Sequence, residues 1–256
     1  MEAETTFVAG FDGAPLAVHR MGGGQKGSGR PVILLHGLFS SAHVNWIKYG
    51  TAARVAAAGF DVIMPDLRAH GESAKPQEAA AYPSEVLVRD LLAVVDHLGI
   101  ADFDLCGFSL GARTSLRAVT VGGLEPERLI LCGMGLAGLR DWEGRIGFFL
   151  DVIERFGTIP RDDPAYFAQN FMRSTNVDLV ATRLLLRSFL GSRAEDLSLA
   201  TMPTLLVCGT EDDDNGSAEE LAEALPHARF APIPGTHMSS VTMRQLGEEI
   251  VGFLAG

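Results

Sequence analysis

The chain has 256 residues, 47% hydrophobic and 21% charged. That is enough to bury a sizeable core, too little for several independent domains, and far from the composition of disordered or collagen-like chains. With 21 Lys+Arg against 32 Asp+Glu the net charge is −11, a field that repels nucleic acid and anionic membrane surfaces, so neither is an expected partner.

The opening residues MEAETTFVAG hold two Glu and lack the basic and apolar regions of a signal peptide. The most apolar uncharged stretch, 129–139, has 11 residues, against roughly 18 or more for a membrane span. The three cysteines, Cys106, Cys132 and Cys208, each end a short apolar run without metal-ligand spacing, so buried reduced thiols are expected. A cytoplasmic soluble protein is expected, and neither a metal nor a cofactor is expected with it.

Predicted strands at 7–10 and 15–20 flank Asp12-Gly13, a hairpin turn signal. A glycine-rich stretch, 22–29, leads to a buried strand at 32–35. A helix over 46–57 stops at Gly59, and a strand follows at 61–64. A helix over 84–98 has Ser84 as its predicted N-cap and Gly99 as terminator. Strand 103–106, helix 110–121 and strand 129–132 come next. Near the C-terminus, strands 204–208 and 229–233 are each followed by a helix, 218–225 and 241–254. This alternation predicts an α/β fold with a mostly parallel sheet covered on both faces.

Residues 133–203 break the rhythm, with no convincing strand. Ile146, Phe149, Leu150 and Ile153 share one helical face; Phe167 with Phe171, and Leu186 with Phe189 and Leu190, repeat the spacing. The expected organisation is a core of residues 1–132 and 204–256 carrying a helical cap of residues 133–203. Ligands bind at the carboxyl ends of parallel strands, where such a cap would lie. Its eight aromatic residues are expected mostly to pack cap against body, with a minority lining a largely apolar pocket. Its Arg and acidic residues nearly balance, so no anionic substrate is implied.

Gly107-Phe108-Ser109-Leu110-Gly111 fits G-x-S-x-G. Alone the pattern carries little weight, since a serine there also caps a helix. Its position between a strand and a helix places the hydroxyl on a tight turn facing the crevice. A nucleophilic serine needs a base, and the base an orienting carboxylate. His237 lies in a loop after the last strand, whereas His97 at a helix end and His19 within a strand have structural explanations. After the penultimate strand the chain reads Glu211-Asp212-Asp213-Asp214-Asn215-Gly216. These four carboxylates do not follow an EF-hand pattern. One is expected to turn inward while the rest are solvated.

This order of strand, G-x-S-x-G, acid and histidine resembles the α/β-hydrolase superfamily. Four further segments agree. Leu34-Leu35-His36-Gly37-Leu38-Phe39 is similar to its HG oxyanion loop. Asp66-Leu67-Arg68-Ala69-His70-Gly71-Glu72-Ser73 resembles its D-x-R-G-H-G-x-S loop, with Ala69 in place of the usual Gly. Gly209 with Asp212 resembles the G-x-x-D acid loop, and Gly235-Thr236-His237 the histidine loop. The resemblance implies Ser109 as nucleophile, His237 as base and Asp212 as orienter, with the backbone N–H groups of Leu38 and Leu110 as oxyanion donors. It implies bracing roles for His36, Asp66, Arg68 and His70. It further implies a serine hydrolase acting on a small-molecule ester, thioester or lactone, with a homo-oligomer left open.

Ser109 stands where dehalogenases and epoxide hydrolases of this fold have Asp, which disfavours both. His36-Gly37-Leu38-Phe39-Ser40-Ser41 departs from the HGxGPG of carbon–carbon bond hydrolases. A C–C bond hydrolase, a lyase, a perhydrolase-like haloperoxidase using the same triad, and a non-catalytic small-molecule binding module stay open as alternatives. Gly133-Met134-Gly135-Leu136-Ala137-Gly138 matches GxGxxG, as does 22–27. A dinucleotide site would need an acid at the end of a second strand, and Glu154 falls instead within a helical pattern.

Overall fold

The computed structural model describes residues 2–22, 29–191 and 196–256. The chain opens with a hairpin, β1 (Glu4–Ala9) and β2 (Pro15–Gly22). Six further strands follow: β3 (Pro31–Leu35), β4 (Asp61–Pro65), β5 (Asp104–Phe108), β6 (Arg128–Cys132), β7 (Thr204–Gly209) and β8 (Ala228–Ile233). All eight join one sheet in the order β1-β2-β4-β3-β5-β6-β7-β8. The hairpin pairs antiparallel to itself and to β4, and β3 to β8 run parallel. The central parallel strands are buried throughout, because helices cover both faces.

Side chains alternate between the two faces. Ile33 and Leu35 join one core, with Val94 of α2 (Val86–Leu98), Leu116 of α3 (Leu110–Thr120) and Leu221 of α8 (Ala218–Ala224). Val32 and Leu34 join the other, with Val55 of α1 (Thr51–Ala57) and Ile250 of α10 (Arg244–Ala255). Period-two alternation in each strand thus fills two layers.

Several element ends differ from the sequence-based expectation. The helix predicted at 46–57 is a π-helical turn, His43–Ile47, then α1. Gly50 separates them with φ 82°, a conformation that ends helical continuity. Ser84 does not cap α2; Glu85 holds that position with φ 59°. Its carboxylate is committed to Arg117 of α3, at 2.8 Å from Nε. The last predicted helix, 241–254, begins three residues late as α10, and an unpredicted short helix, α9 (His237–Ser240), precedes it.

Between β6 and β7 lie α4 (Leu136–Arg140), α5 (Trp142–Glu154), α6 (Tyr166–Ser174) and α7 (Leu179–Ser188), with no strand among the described residues. Ile146, Ile153, Leu186 and Phe189 are buried as the periodicity predicts, but Leu190 is half exposed. No described helix is long and apolar enough to cross a membrane. Most of the glycine-rich stretch, residues 23–28 with the second GxGxxG match, lies outside the described residues.

Candidate active site

β5 ends at Phe108 and α3 begins at Leu110, leaving Ser109 alone on the turn with φ 52° and ψ −111°. This is a sparsely populated conformation for a side chain, held by the elements on either side. Its N–H donates to the carbonyl of Cys132 at 2.9 Å. The flanking glycines are steric requirements. A Cβ on Gly107 would fall 2.2 Å from the carbonyl of Gly111, and one on Gly111 would fall 2.2 Å from the carbonyl of Leu35.

His237, the first residue of α9, places Nε2 3.0 Å from Ser109 Oγ and Nδ1 2.9 Å from Asp212 Oδ2. Thr236 caps that helix through Ser239 and fixes where the imidazole starts. Of the four consecutive carboxylates only Asp212 turns inward; Glu211, Asp213 and Asp214 are exposed. Asp212 also accepts the N–H of Asp214 at 3.2 Å and the thiol of Cys208 at 3.3 Å. Burial works against its ionisation, but the hydrogen bond and charge of His237, with these donors, hold its carboxyl below the usual carboxylate range.

The loop after β3 runs beside Ser109. The N–H of Gly37 donates to Asn45 Oδ1 at 3.1 Å, and that of Phe39 to His70 Nε2 at 3.1 Å. Between them the N–H of Leu38 has no acceptor among the described residues. Leu110, as the first residue of α3, has an N–H with no intrahelical acceptor. Both leucines line the cavity that contains Ser109 and His237.

Two neutral imidazoles brace this loop. His36 Nε2 accepts the N–H of Leu67 at 3.0 Å, and Nδ1 donates to the carbonyl of Gly37 at 2.8 Å. His70 Nδ1 donates to the carbonyl of Arg68 at 3.0 Å. Burial lowers the pKa of both rings, that of His70 to about 3. Asp66 accepts the N–H groups of Ala42 and Glu72, each at 2.8 Å, and bonds His19 at 3.2 Å. Burial opposes its charge, but these partners hold it far below the usual carboxylate range. Arg68 is fully buried and joins the hairpin to α2 through Asp12 at 2.7 Å and Asp90 at 2.8 Å.

The cavity has a volume of about 610 Å³. Five of the eight aromatic residues of 133–203 line it: Trp142, Phe148, Phe149, Phe167 and Phe171. This corrects the expectation that only a minority would. α5 and α6 turn aromatic side chains toward the crevice, and Phe167 remains 82% exposed. The GxGxxG at 133–138 has a packing role. A Cβ on Gly135 would meet the carbonyl of Gly216 at 2.0 Å, and one on Gly138 would meet Asn215 at 2.7 Å. Asn215 Nδ2 donates to the carbonyl of Gly133 at 2.8 Å. The motif seats the loop that carries Asp212. Among the described residues no cluster of three or more His, Cys, Asp or Glu could hold a metal ion.

Three residues escaped the sequence reading. Asn45 lies on the π-helical turn, and no motif marks it. Cys208 reads as one more buried thiol at the end of an apolar run, and no spacing marks its contact with Asp212, because the chain turns between them. Arg145 is one of several arginines in its segment.

An eight-stranded sheet of this order, with a serine on the β5–α3 turn, is the α/β-hydrolase fold. The alpha/beta hydrolase fold family matches residues 30–129. The chain is 30% identical over 253 residues to the dihydrolipoyllysine-residue acetyltransferase component of an acetoin cleaving system from Pseudomonas putida, covering 91% of this chain and 65% of that protein. It is 28% identical over 153 residues to an N-formylmaleamate deformylase from Pseudomonas putida, covering 59% of this chain and 55% of that protein. The chain thus spans less than two thirds of the length of each relative. An esterase from Exiguobacterium antarcticum shares the fold with a TM-score of 0.75 at 23% identity, over 99% of this chain and 100% of that one.

Proposed function

We propose that the chain is a serine hydrolase that cleaves an ester, thioester or lactone of a small to medium, largely apolar molecule through an acyl-enzyme. The observation that carries this reading is the continuous relay from Ser109 Oγ through His237 to Asp212, at 3.0 and 2.9 Å, opening into the cavity. His237 Nε2 takes the proton of Ser109 Oγ as the oxygen attacks the substrate carbonyl. The Nδ1–H of His237 donates to Asp212 Oδ2, which holds the tautomer and stabilises the imidazolium. The N–H groups of Leu38 and Leu110 receive the tetrahedral oxyanion, each worth roughly 3 kcal/mol of transition-state stabilisation. His237 then protonates the leaving group and activates a water that releases the acid.

Residues 133–203 serve in this reading as a cap over the cavity. The cavity volume falls within the ordinary range for small-molecule sites, and its aromatic wall suits an apolar acyl or aryl group. The names deformylase and esterase among similar proteins agree with acyl-bond hydrolysis. The test is turnover of p-nitrophenyl esters of graded chain length by wild type and Ser109→Ala. A loss of at least about 10³-fold is expected in the variant; undiminished turnover would refute the nucleophile.

A further inference from the structure

α5 carries Trp142, Arg145 and Phe149 along the cavity wall, at helical spacings of three and four residues. Among the described residues Arg145 is the sole cation of that wall. Its guanidinium lies within cation–π range of Phe149, 5.8 Å from the ring centroid, and Nη1 donates to the main-chain carbonyl of Asp214. Nε is buried with no acceptor among the described residues, and Nη2 makes no hydrogen bond there either. Nε and Nη2 form one edge of the guanidinium; Nε is closed off from the cavity, so Nη2 is the donor on that edge left for a carboxylate.

Among the described residues the charge of Arg145 has no ion-pair partner. No carboxylate oxygen of the described residues forms an ion pair with it within 4.0 Å. Asp141 and Asp214 also line the cavity, but both are exposed and solvated. Burial disfavours the cation, and Asp214, Asp212 and Asp141 offset that only through space. A cation kept at this cost beside an apolar cavity is set up to receive an anion.

We propose that Arg145 anchors a carboxylate on the substrate, so that the molecule hydrolysed is the ester, thioester or lactone of a chain whose far end is an anionic acid. The kinetic side of this proposal rests on the acyl-transfer reading, because it places the anchor in the same cavity as Ser109. The aromatic wall would hold the apolar middle of such a substrate, with the scissile carbonyl at Ser109 and the charged end at Arg145.

The test compares mono-p-nitrophenyl adipate with its methyl ester, a neutral molecule of nearly the same shape. In wild type the ratio of kcat/KM, anionic over neutral, is expected to be at least about tenfold, and to fall to near one in Arg145→Met. Arg145→Lys, which keeps the charge and loses the planar edge, should fall between them. A second arm needs no turnover: calorimetric binding of 5-phenylvalerate against 5-phenylpentan-1-ol to wild type and Arg145→Met. The same preference and the same collapse are expected. If neither ester is cleaved while the binding preference holds, hydrolysis fails and the anchor stands. A wild type with no anionic preference in either arm, or an Arg145→Met variant that loses both ligands equally, overturns the anchor and leaves Arg145 as a strut for the Asp214 loop.

Discussion

Cys208 Sγ donates to Asp212 Oδ2 at 3.3 Å, the same oxygen that takes the Nδ1–H of His237 at 2.9 Å. The thiol lies on the penultimate residue of β7, four residues before the acid, and is buried at 4% exposure. Burial, with the charge of Asp212 beside it, pushes the thiol pKa up, so it stays protonated and donating. In the proposed relay Cys208 is therefore a positioning residue for the carboxylate.

Cys208→Ala should lower kcat by about two- to tenfold with little change in KM, since a thiol is a weak donor. The carboxyl of Asp212, with one donor fewer, should take up its proton at higher pH and raise the acid limb of the rate profile. Cys208→Ser should restore both. A profile and kcat unmoved in the alanine variant would reduce the contact to packing.

The acidic cluster offers an internal control. Asp212→Asn should cost at least about 10²-fold in kcat, because the amide cannot hold the same imidazole tautomer. Asp213→Asn and Asp214→Asn, at exposed positions, should each cost less than about threefold. Steady-state kinetics on one p-nitrophenyl ester separates them. If Asp212→Asn is the mildest of the three, the acid is another residue.

The turn at Ser109 is steric before it is chemical. In Gly111→Ala the new Cβ would sit 2.2 Å from the carbonyl of Leu35. The backbone of a central strand cannot retreat cheaply, so a loss of about 2–4 kcal/mol is expected. Denaturant unfolding measures it. Stability within about 0.5 kcal/mol of wild type would show that β3 can move away from α3.

His70 predicts an acid-labile fold. Its pKa is about 3 in the folded chain, against about 6.5 unfolded. Between these values the unfolded chain binds a proton that the folded chain does not, so stability falls as pH drops from about 6.5 toward 3. His36, lowered by burial, acts in the same direction, and Asp66, held low by its donors, adds its loss at the acid end. His19 acts in reverse: its hydrogen bond to Asp66 raises its pKa, so its contribution is full at acid pH and lost as pH rises. The Tm should be lower at about pH 4.5 than at about pH 7. His70→Gln should narrow that difference while lowering the Tm at neutral pH. An unchanged difference would remove His70 from the account.

The sequence by itself determined the sheet-and-helix alternation and located Ser109, Asp212 and His237 at strand ends. Short apolar runs can only be buried strands here, and G-x-S-x-G marks a turn where a Cβ at either glycine has no room. Local chemistry acts over a few residues, and so it is legible in order and spacing. Element ends were less legible, because they answer to distant partners: Glu85 occupies the start of α2 while its carboxylate is held by Arg117, 32 residues away.

Only the tertiary structure decided what depends on neighbours far apart in the chain. It selected which of four consecutive carboxylates turns inward, because that choice rests on contact with His237 and with Gly133 through Asn215. It brought the side chains of Asn45, His36 and His70 together on the loop after β3, where burial keeps the two imidazoles neutral. It turned five aromatic side chains and the charge of Arg145 toward the cavity that contains Ser109. Side-chain direction, desolvation and the absence of a counter-ion are properties of a packed interior, and no spacing along a chain encodes them.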